Sequence, residues 1–163
     1  MARADARDRD PCRGAGAMAS ENLSSGYAGD LGAAEAWTLL GSDRTAQLVD
    51  VRTHAEWRFV GAPDLSGIGS TVHFVEWQDY PAMVPNPDFV AKTSAALGPD
   101  KNVPALFLCR SGGRSRSAAI AMTAAGYTRA YNIAGGFEGD LDRERHRGSK
   151  NGWKAAGLPW IQT

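Results

Sequence analysis

Cysteine is scarce in this chain, and that scarcity narrows its chemistry. Only Cys12 and Cys109 occur among 163 residues, too few for a disulfide framework and consistent with a reducing compartment. Histidine is nearly as sparse. His54, His73 and His146 are scattered with no second ligand at metal spacing, so no metal is expected. Net charge is absent, 18 basic residues balancing 18 acidic ones, which gives no footprint for nucleic acid or a membrane surface. Long apolar runs are missing as well: none approaches the roughly 20 residues of a spanning helix. The first residues lack the apolar core of a signal peptide, and the expected address is the cytoplasm.

What the chain does have is enough apolar material for one core. A hydrophobic content of 43% over this length fits a single domain of two or three layers. Residues 1–17 differ from the rest, being Ala, Arg, Asp and Gly with almost nothing to bury, and they read as a disordered tail. Met18-Ala-Ser-Glu-Asn opens more conventionally, so the tail also fits an upstream start codon or an added extension. Cys12 is then incidental; its alternative role is a resolving thiol that reaches Cys109 from the tail.

Between residues 26 and 163 the pattern is a βα alternation without internal repeats. Asp30 to Leu40 reads as a helix capped by Asp30, with Ala34, Trp37 and Leu40 on one face. Ala46 to Val51 is a short buried strand, Thr53 to Phe59 a short helix, and Thr71 to Val75 the next strand. A helix over Pro87 to Leu97 opens after Asn86 and stops at Gly98-Pro99. Strand 103–108, helix 115–125 with Gly126 as its C′ residue, strand 129–133 and a C-terminal helical region complete the order. The expected fold class is α/β, a central parallel sheet of about five strands with helices on both faces.

The most informative stretch is Val103-Pro-Ala-Leu-Phe-Leu-Cys109-Arg-Ser-Gly-Gly-Arg-Ser115. An apolar strand ends at Cys109, where open α/β sheets place their ligands, and a helix follows. Gly112 and Gly113 can take positive φ and aim successive N–H groups inward as an anion nest. With the helix dipole and the charges of Arg110 and Arg114, that nest favours a thiolate. A thiol of ordinary pKa is only about 3% ionised at pH 7, and about 2.7 kcal/mol of preference for the charged form makes it roughly three-quarters ionised. A helix terminus supplies at most about 2 kcal/mol, which leaves the remainder to the arginines. The alternative is a buried cysteine acting as a small hydrophobe; two glycines between two arginines argue against it.

Cys109-Arg-Ser-Gly-Gly-Arg-Ser115 resembles the active-site loop of the rhodanese family, Cys-Arg-x-Gly-x-Arg. Leu48-Val-Asp-Val-Arg-Thr-His-Ala-Glu-Trp57 is similar to that family's first signature, and Tyr131-Asn-Ile-Ala-Gly-Gly-Phe137 to its last strand and turn. The resemblance, with bacterial single-domain members above all, spans about Gly26 to Trp160. It implies a rhodanese-like domain at 26–163 and a thiosulfate sulfurtransferase that requires no external cofactor. Cys109 would be the catalytic nucleophile that carries a persulfide, and Arg110, Ser111, Gly112, Gly113, Arg114 and Ser115 the loop that binds substrate and persulfide. The partners implied are a small sulfur donor and a thiol or cyanide acceptor, with a sulfur-relay protein as a further partner. A persulfide carrier or regulatory binding module with little small-molecule turnover is the alternative.

The spacing separates this chemistry from a related one. Cysteine-dependent phosphatases and arsenate reductases place five residues between cysteine and arginine, whereas here four separate Cys109 from Arg114. The shorter cradle suits a sulfane sulfur better than a tetrahedral oxyanion. One region departs from the family: Val60-Gly-Ala-Pro-Asp-Leu-Ser-Gly67 replaces the usual Gly-His-Ile-x-Gly-Ala, and a long passage to Pro87 carries Glu76, Trp77, Tyr80 and Met83. That rim leaves substrate choice open.

Other residues read as structural. Asp50 at a strand end, and Arg52 paired with Glu56, are expected to organise the loop beside the site. Trp37 and Trp57 read as core; Trp77 reads as core or as a wall of the substrate pocket. Arg143, Arg145, His146, Arg147, Lys150 and Lys154 interleave with acids and read as a solvated face. A chain beginning at Met18 is expected to melt within about 2 °C of the full chain, because exposed termini contribute little; differential scanning calorimetry measures it, and a larger drop would make the tail part of the folded unit.

Overall fold

A computed structural model describes residues 26–163. The expected tail at 1–17, and Cys12 with it, lie outside the described residues. Five short strands form one parallel sheet in the order β1-β8-β7-β2-β4: β1 (Gly29–Leu31), β2 (Gln47–Asp50), β4 (Val72–Phe74), β7 (Ala105–Leu108) and β8 (Ala130–Ile133). The crossovers carry α1 (Ala33–Ser42), α2 (His54–Phe59), α3 (Phe89–Leu97) and α4 (Gly113–Ala124). Two small antiparallel pairs sit outside the sheet, β3 (Ala62–Pro63) with β9 (Trp160–Ile161), and β5 (Gln78–Asp79) with β6 (Val84–Pro85).

The central strands are buried on both faces, which is why they read as apolar runs rather than alternations. Alternate residues divide between two clusters. Val49, Val51, Ala105, Phe107 and Cys109 pack with Phe89 and Leu97 of α3 and Ala118, Ala119 and Met122 of α4. Leu48, Leu106, Leu108 and Ile133 pack with Ala36 and Leu40 of α1 and with Leu65, Phe137 and Trp153. The expected α/β fold with helices on both faces is thus the observed one.

Several element boundaries differ, each for a definable reason. Asp30 is not a helix cap: it lies in β1, opposite Asn132 of β8. Gly32 caps α1 instead, its N–H donating to Glu35 Oε1 at 3.3 Å, and the buried face is Ala33, Ala36 and Leu40 rather than Ala34. Asn86 spends its side chain on the Asp88 amide, 3.0 Å, so the chain turns once before α3 begins at Phe89. The helix after the cysteine starts at Gly113, two residues ahead of expectation, and Gly126 closes it with φ of +105°. No C-terminal helix forms. Residues 138–159 are turns, and the chain then pairs β9 with β3.

Trp153 anchors that irregular segment. It is fully buried, its Nε1 donates to Pro159 O at 2.8 Å, and it meets Trp37 edge-on at 5.9 Å. Trp37 is only partly buried against this cluster, and Trp57 is half-buried outside both clusters, contacting Phe74 at 5.0 Å between centroids. Trp77 packs edge-on against Phe89 at 4.9 Å and closes the first core cluster. Trp153→Ala removes the largest fully buried side chain and is expected to cost about 3–5 kcal/mol. Urea unfolding measures it; a loss below about 1 kcal/mol would show that the C-terminal turns do not depend on this anchor.

Candidate active site

Cys109 follows β7 directly and is 1% exposed. The chain leaves the sheet there, reverses through Gly112 at φ +111°, and enters α4 at Gly113. Only Gly112 of the two glycines uses the left-handed region; Gly113 already has helical backbone, and a side chain at Gly113 would meet open space. The Gly112 N–H donates to Cys109 Sγ at 3.1 Å. Ser115, fully buried in the first turn of α4, places its Oγ 3.1 Å from the same sulfur. The Gly112 amide and the helix N-terminus favour negative charge on Sγ, and the Ser115 hydroxyl stands beside them within reach of the sulfur.

The two loop arginines have different surroundings. Arg114 is committed to Glu56 by a two-pronged pair, Nη1 to Oε1 at 2.7 Å and Nη2 to Oε2 at 2.9 Å, with both side chains under one-fifth exposed. Arg110 is exposed and has no ion pair among the described residues, so it is the loop cation open to an incoming anion. The residues alone did not distinguish the two arginines; the structure gives only Arg114 an acidic partner. Glu56 also caps α2, its Oε1 accepting from Thr53 N at 3.3 Å. The pair thus pins the first turn of α2 to the loop.

Arg52 does not pair with Glu56 as expected. It is fully buried and bound to Asp50, Nη2 to Oδ2 at 2.7 Å and Nε to Oδ1 at 3.0 Å. A buried guanidinium needs its counter-charge at hydrogen-bond distance, and the strand end supplies one two residues away. Its Nη2 also donates to Gly61 O at 2.8 Å, and the guanidinium lies 4.2 Å over the Phe137 ring. Asp50 and Arg52 are thereby structural neighbours of the site.

A second clamp holds the loop from outside. Phe137 N donates to Cys109 O at 2.8 Å, and Glu138 N to Arg110 O at 3.0 Å. This close approach requires Gly136, at φ +61°: a Cβ there would stand 2.5 Å from Cys109 O and 2.6 Å from Arg110 C. Asn132 lies on the inner side, its Oδ1 2.6 Å from Ser115 Oγ and its Nδ2 3.0 Å from Asp30 Oδ1. Sequence reasoning gave Asn132, Asp30, Gly136 and the Glu56–Arg114 pair no site role. An asparagine interrupting an apolar strand was the available signal for the first of these.

The basic segment near the C-terminus is mostly exposed, although Arg147 Nη1 donates to Gly139 O at 2.7 Å and Lys154 Nζ lies 4.0 Å over the Trp160 ring. The rim passage forms the β5–β6 hairpin. It starts where Trp77 N binds Val51 O at 3.0 Å and exposes Tyr80, Met83 and Val84. No helix among the described residues is long and apolar enough to cross a membrane.

A five-stranded parallel sheet that delivers a cysteine into an amide-lined loop at a helix N-terminus is the architecture of a rhodanese-like domain. A rhodanese-like domain protein from Staphylococcus aureus shares it at a TM-score of 0.52 and 19% identity, over 82% of this chain and 98% of that one. The chain belongs to the family described as the STR4 middle domain, whose model matches residues 28–163. The crystal structure of Rv0390 from M. tuberculosis is 50% identical with a TM-score of 0.77, covering 84% of this chain and 99% of that chain. Rhodanese-like domain-containing protein 4, chloroplastic, of Arabidopsis thaliana is 33% identical over 134 residues, 80% of this chain and a quarter of that protein.

Burial raises the Glu56 carboxyl, and the hydrogen bonds and charge of Arg114, with the Thr53 amide, more than offset it; the net shift is downward. A carboxyl held low in the folded state contributes stability that is present above its unfolded pKa of about 4.3 and lost as pH falls through the folded value. Glu56→Gln is therefore expected to destabilise at pH 7, with the difference from wild type shrinking below about pH 4. Melting curves at a series of pH values test this, and a gap independent of pH would remove the ion pair as its cause.

Proposed function

We propose that this protein is a thiosulfate sulfurtransferase, moving a sulfane sulfur to a thiol or cyanide acceptor through a persulfide on Cys109. The observation that carries the reading is the convergence of the Gly112 amide and the Ser115 hydroxyl on a sulfur at the head of α4, beside the exposed Arg110. The family membership and the rhodanese-like relative support it.

The chemistry proceeds in two displacements. Cys109 thiolate attacks the outer sulfur of thiosulfate, the sulfur–sulfur bond breaks with its electron pair on sulfite, and a persulfide anion remains. One negative charge plus two becomes one plus two, so no oxidant or external base is consumed. Arg110 draws in the dianion and eases departure of sulfite, and loop amides hold the terminal persulfide charge. Arg114 contributes its charge through a geometry that Glu56 fixes. In the second displacement the acceptor's lone pair takes the outer sulfur and Cys109 leaves as thiolate. The steps need small donor and acceptor molecules, no nucleic acid and no membrane, and fit a cytoplasmic setting.

One observation favours a second reading. One of the two loop cations is paired with Glu56, which weakens the attraction for a free dianion and suits sulfur delivered by a protein partner over free thiosulfate. In that case the chain is a persulfide carrier in a relay.

Thiosulfate is expected to add about 32 Da, one sulfur, to the wild-type chain, and cyanide to remove it as thiocyanate. Cys109→Ser abolishes both events and Cys12→Ser preserves both, as read by intact-mass spectrometry. Sulfur mapped to Cys12, or thiocyanate production by Cys109→Ser, overturns the assignment; uptake only from a protein persulfide selects the carrier.

A further inference from the structure

We infer that Asn132, oriented by Asp30, is a positioning residue for Cys109: it holds the Ser115 hydroxyl proton while the sulfur is loaded and yields it to Sγ as that sulfur departs. The inference deepens the sulfur-transfer reading and rests on it. Its basis is a chain of four contacts running from the nucleophile to the edge of the sheet. Ser115 Oγ is 3.1 Å from Cys109 Sγ and 2.6 Å from Asn132 Oδ1, Asn132 Nδ2 is 3.0 Å from Asp30 Oδ1, and Tyr27 Oη donates to the same oxygen at 2.8 Å.

The polarity of this chain follows from what each group can donate. A carboxylate only accepts, so Asp30 fixes the amide nitrogen of Asn132 toward itself and turns the amide oxygen toward Ser115. The Tyr27 hydroxyl stays a donor, because burial and then the bond to Asp30 raise its pKa above the ordinary tyrosine value. An oxygen–oxygen distance of 2.6 Å requires a hydrogen between Ser115 Oγ and Asn132 Oδ1, and Asn132 has none to give from that atom. Ser115 has a single hydroxyl proton. It serves Asn132 or Cys109, never both.

Sheet register builds the arrangement. Asp30 of β1, Asn132 of β8 and Phe107 of β7 stand side by side, two residues before the nucleophile. Asn132 is 4% exposed, so its oxygen has little water to turn to. A buried, satisfied network of this kind fixes rotamers.

The choice of partner tracks the reaction. In the persulfide, charge resides on the outer sulfur and Sγ is a neutral bridging atom, so the proton rests on Asn132. As the acceptor takes the outer sulfur, the bond's electron pair passes to Sγ, and the hydroxyl turns to meet it. An interaction stronger in the transition state than before it raises kcat rather than affinity. Without Asn132 the hydroxyl is free to bond back to a carbonyl of its own helix, as serines in helices do.

The test measures loading by thiosulfate and unloading by cyanide separately, by rapid-mix intact mass, in Ser115→Ala, Asn132→Leu, Asp30→Asn and the double variant S115A/N132L. Unloading is expected to slow about tenfold in the first two and less in Asp30→Asn, with donor KM within about twofold of wild type. The double variant is expected to match Ser115→Ala, because Asn132 acts only through that hydroxyl. Equal slowing of loading and unloading, or an added loss in the double variant, overturns the inference. Asp30 is exposed, so Asp30→Asn carries the test if Asn132→Leu does not fold. Iodoacetamide alkylation of Cys109 across the same variants supplies a second cycle. If wild type takes up no sulfur, the transfer reading fails by itself, and additive alkylation effects then overturn the coupling of Asn132 to Ser115.

Discussion

The site depends on the grip of the 136–139 turn on the loop that carries Cys109. Three backbone amides, from Phe137, Glu138 and Gly139, bind the carbonyls of Cys109 and Arg110. The loop turns the Gly112 N–H toward Sγ, and the carbonyls of Cys109 and Arg110 face elsewhere and need partners. The turn supplies them from the far end of the fold. Gly136 makes the approach sterically feasible, and the Phe137 ring beneath it packs in the second core cluster. The inward face of the loop is left for the sulfur.

Charge is arranged around this frame in two layers. The inner layer, Asp50 with Arg52, is fully buried and paired at hydrogen-bond distance, though Arg52 Nη1 has no hydrogen-bond partner, and it ties the end of β2 to Gly61 and Phe137. Such a pair is weak evidence for stability by itself, since desolvation costs rival the attraction, but loss of either partner strands a buried charge. The outer layer, Glu56 with Arg114, is partly exposed and joins α2 to the loop. Its consequence is electrostatic economy: one loop guanidinium is held in place and partly neutralised, and Arg110 is exposed with no ion pair among the described residues. An anion approaching Cys109 therefore meets a weaker field than the count of arginines implies.

The polar contacts of Ser115 add a direction to the site that charge alone does not give. Amides are fixed donors, whereas a hydroxyl rotates, and Asn132 with Asp30 decides where it rests. The same three strands that bury the core align these groups, so the geometry around Cys109 and the sheet register are a single constraint.

Much of this was legible in the residues. The run Val103 to Leu108, ending in a cysteine and followed by Gly-Gly between arginines, specified strand, loop and helix, because apolar continuity and glycine placement are local properties. The α/β alternation was legible for the same reason. Legibility failed where a residue had two local uses and a distant partner chose between them. Asp30 suits a helix cap, but pairing of β1 with β8 takes it into a strand and toward Asn132. Arg52 and Glu56 are spaced for a mutual pair, yet burial gives Arg52 to Asp50, and Arg114, 58 residues away, claims Glu56. The C-terminal segment has helix-forming residues, but burial of Trp153 and the β3–β9 pairing hold it in turns. Short-range propensity and chemistry were enough to read from the residues the central strands, the order of elements and the loop that begins at Cys109. Tertiary structure alone decided which charges meet and where the Ser115 proton points, because hydrogen bonds and ion pairs depend on distances that only packing sets.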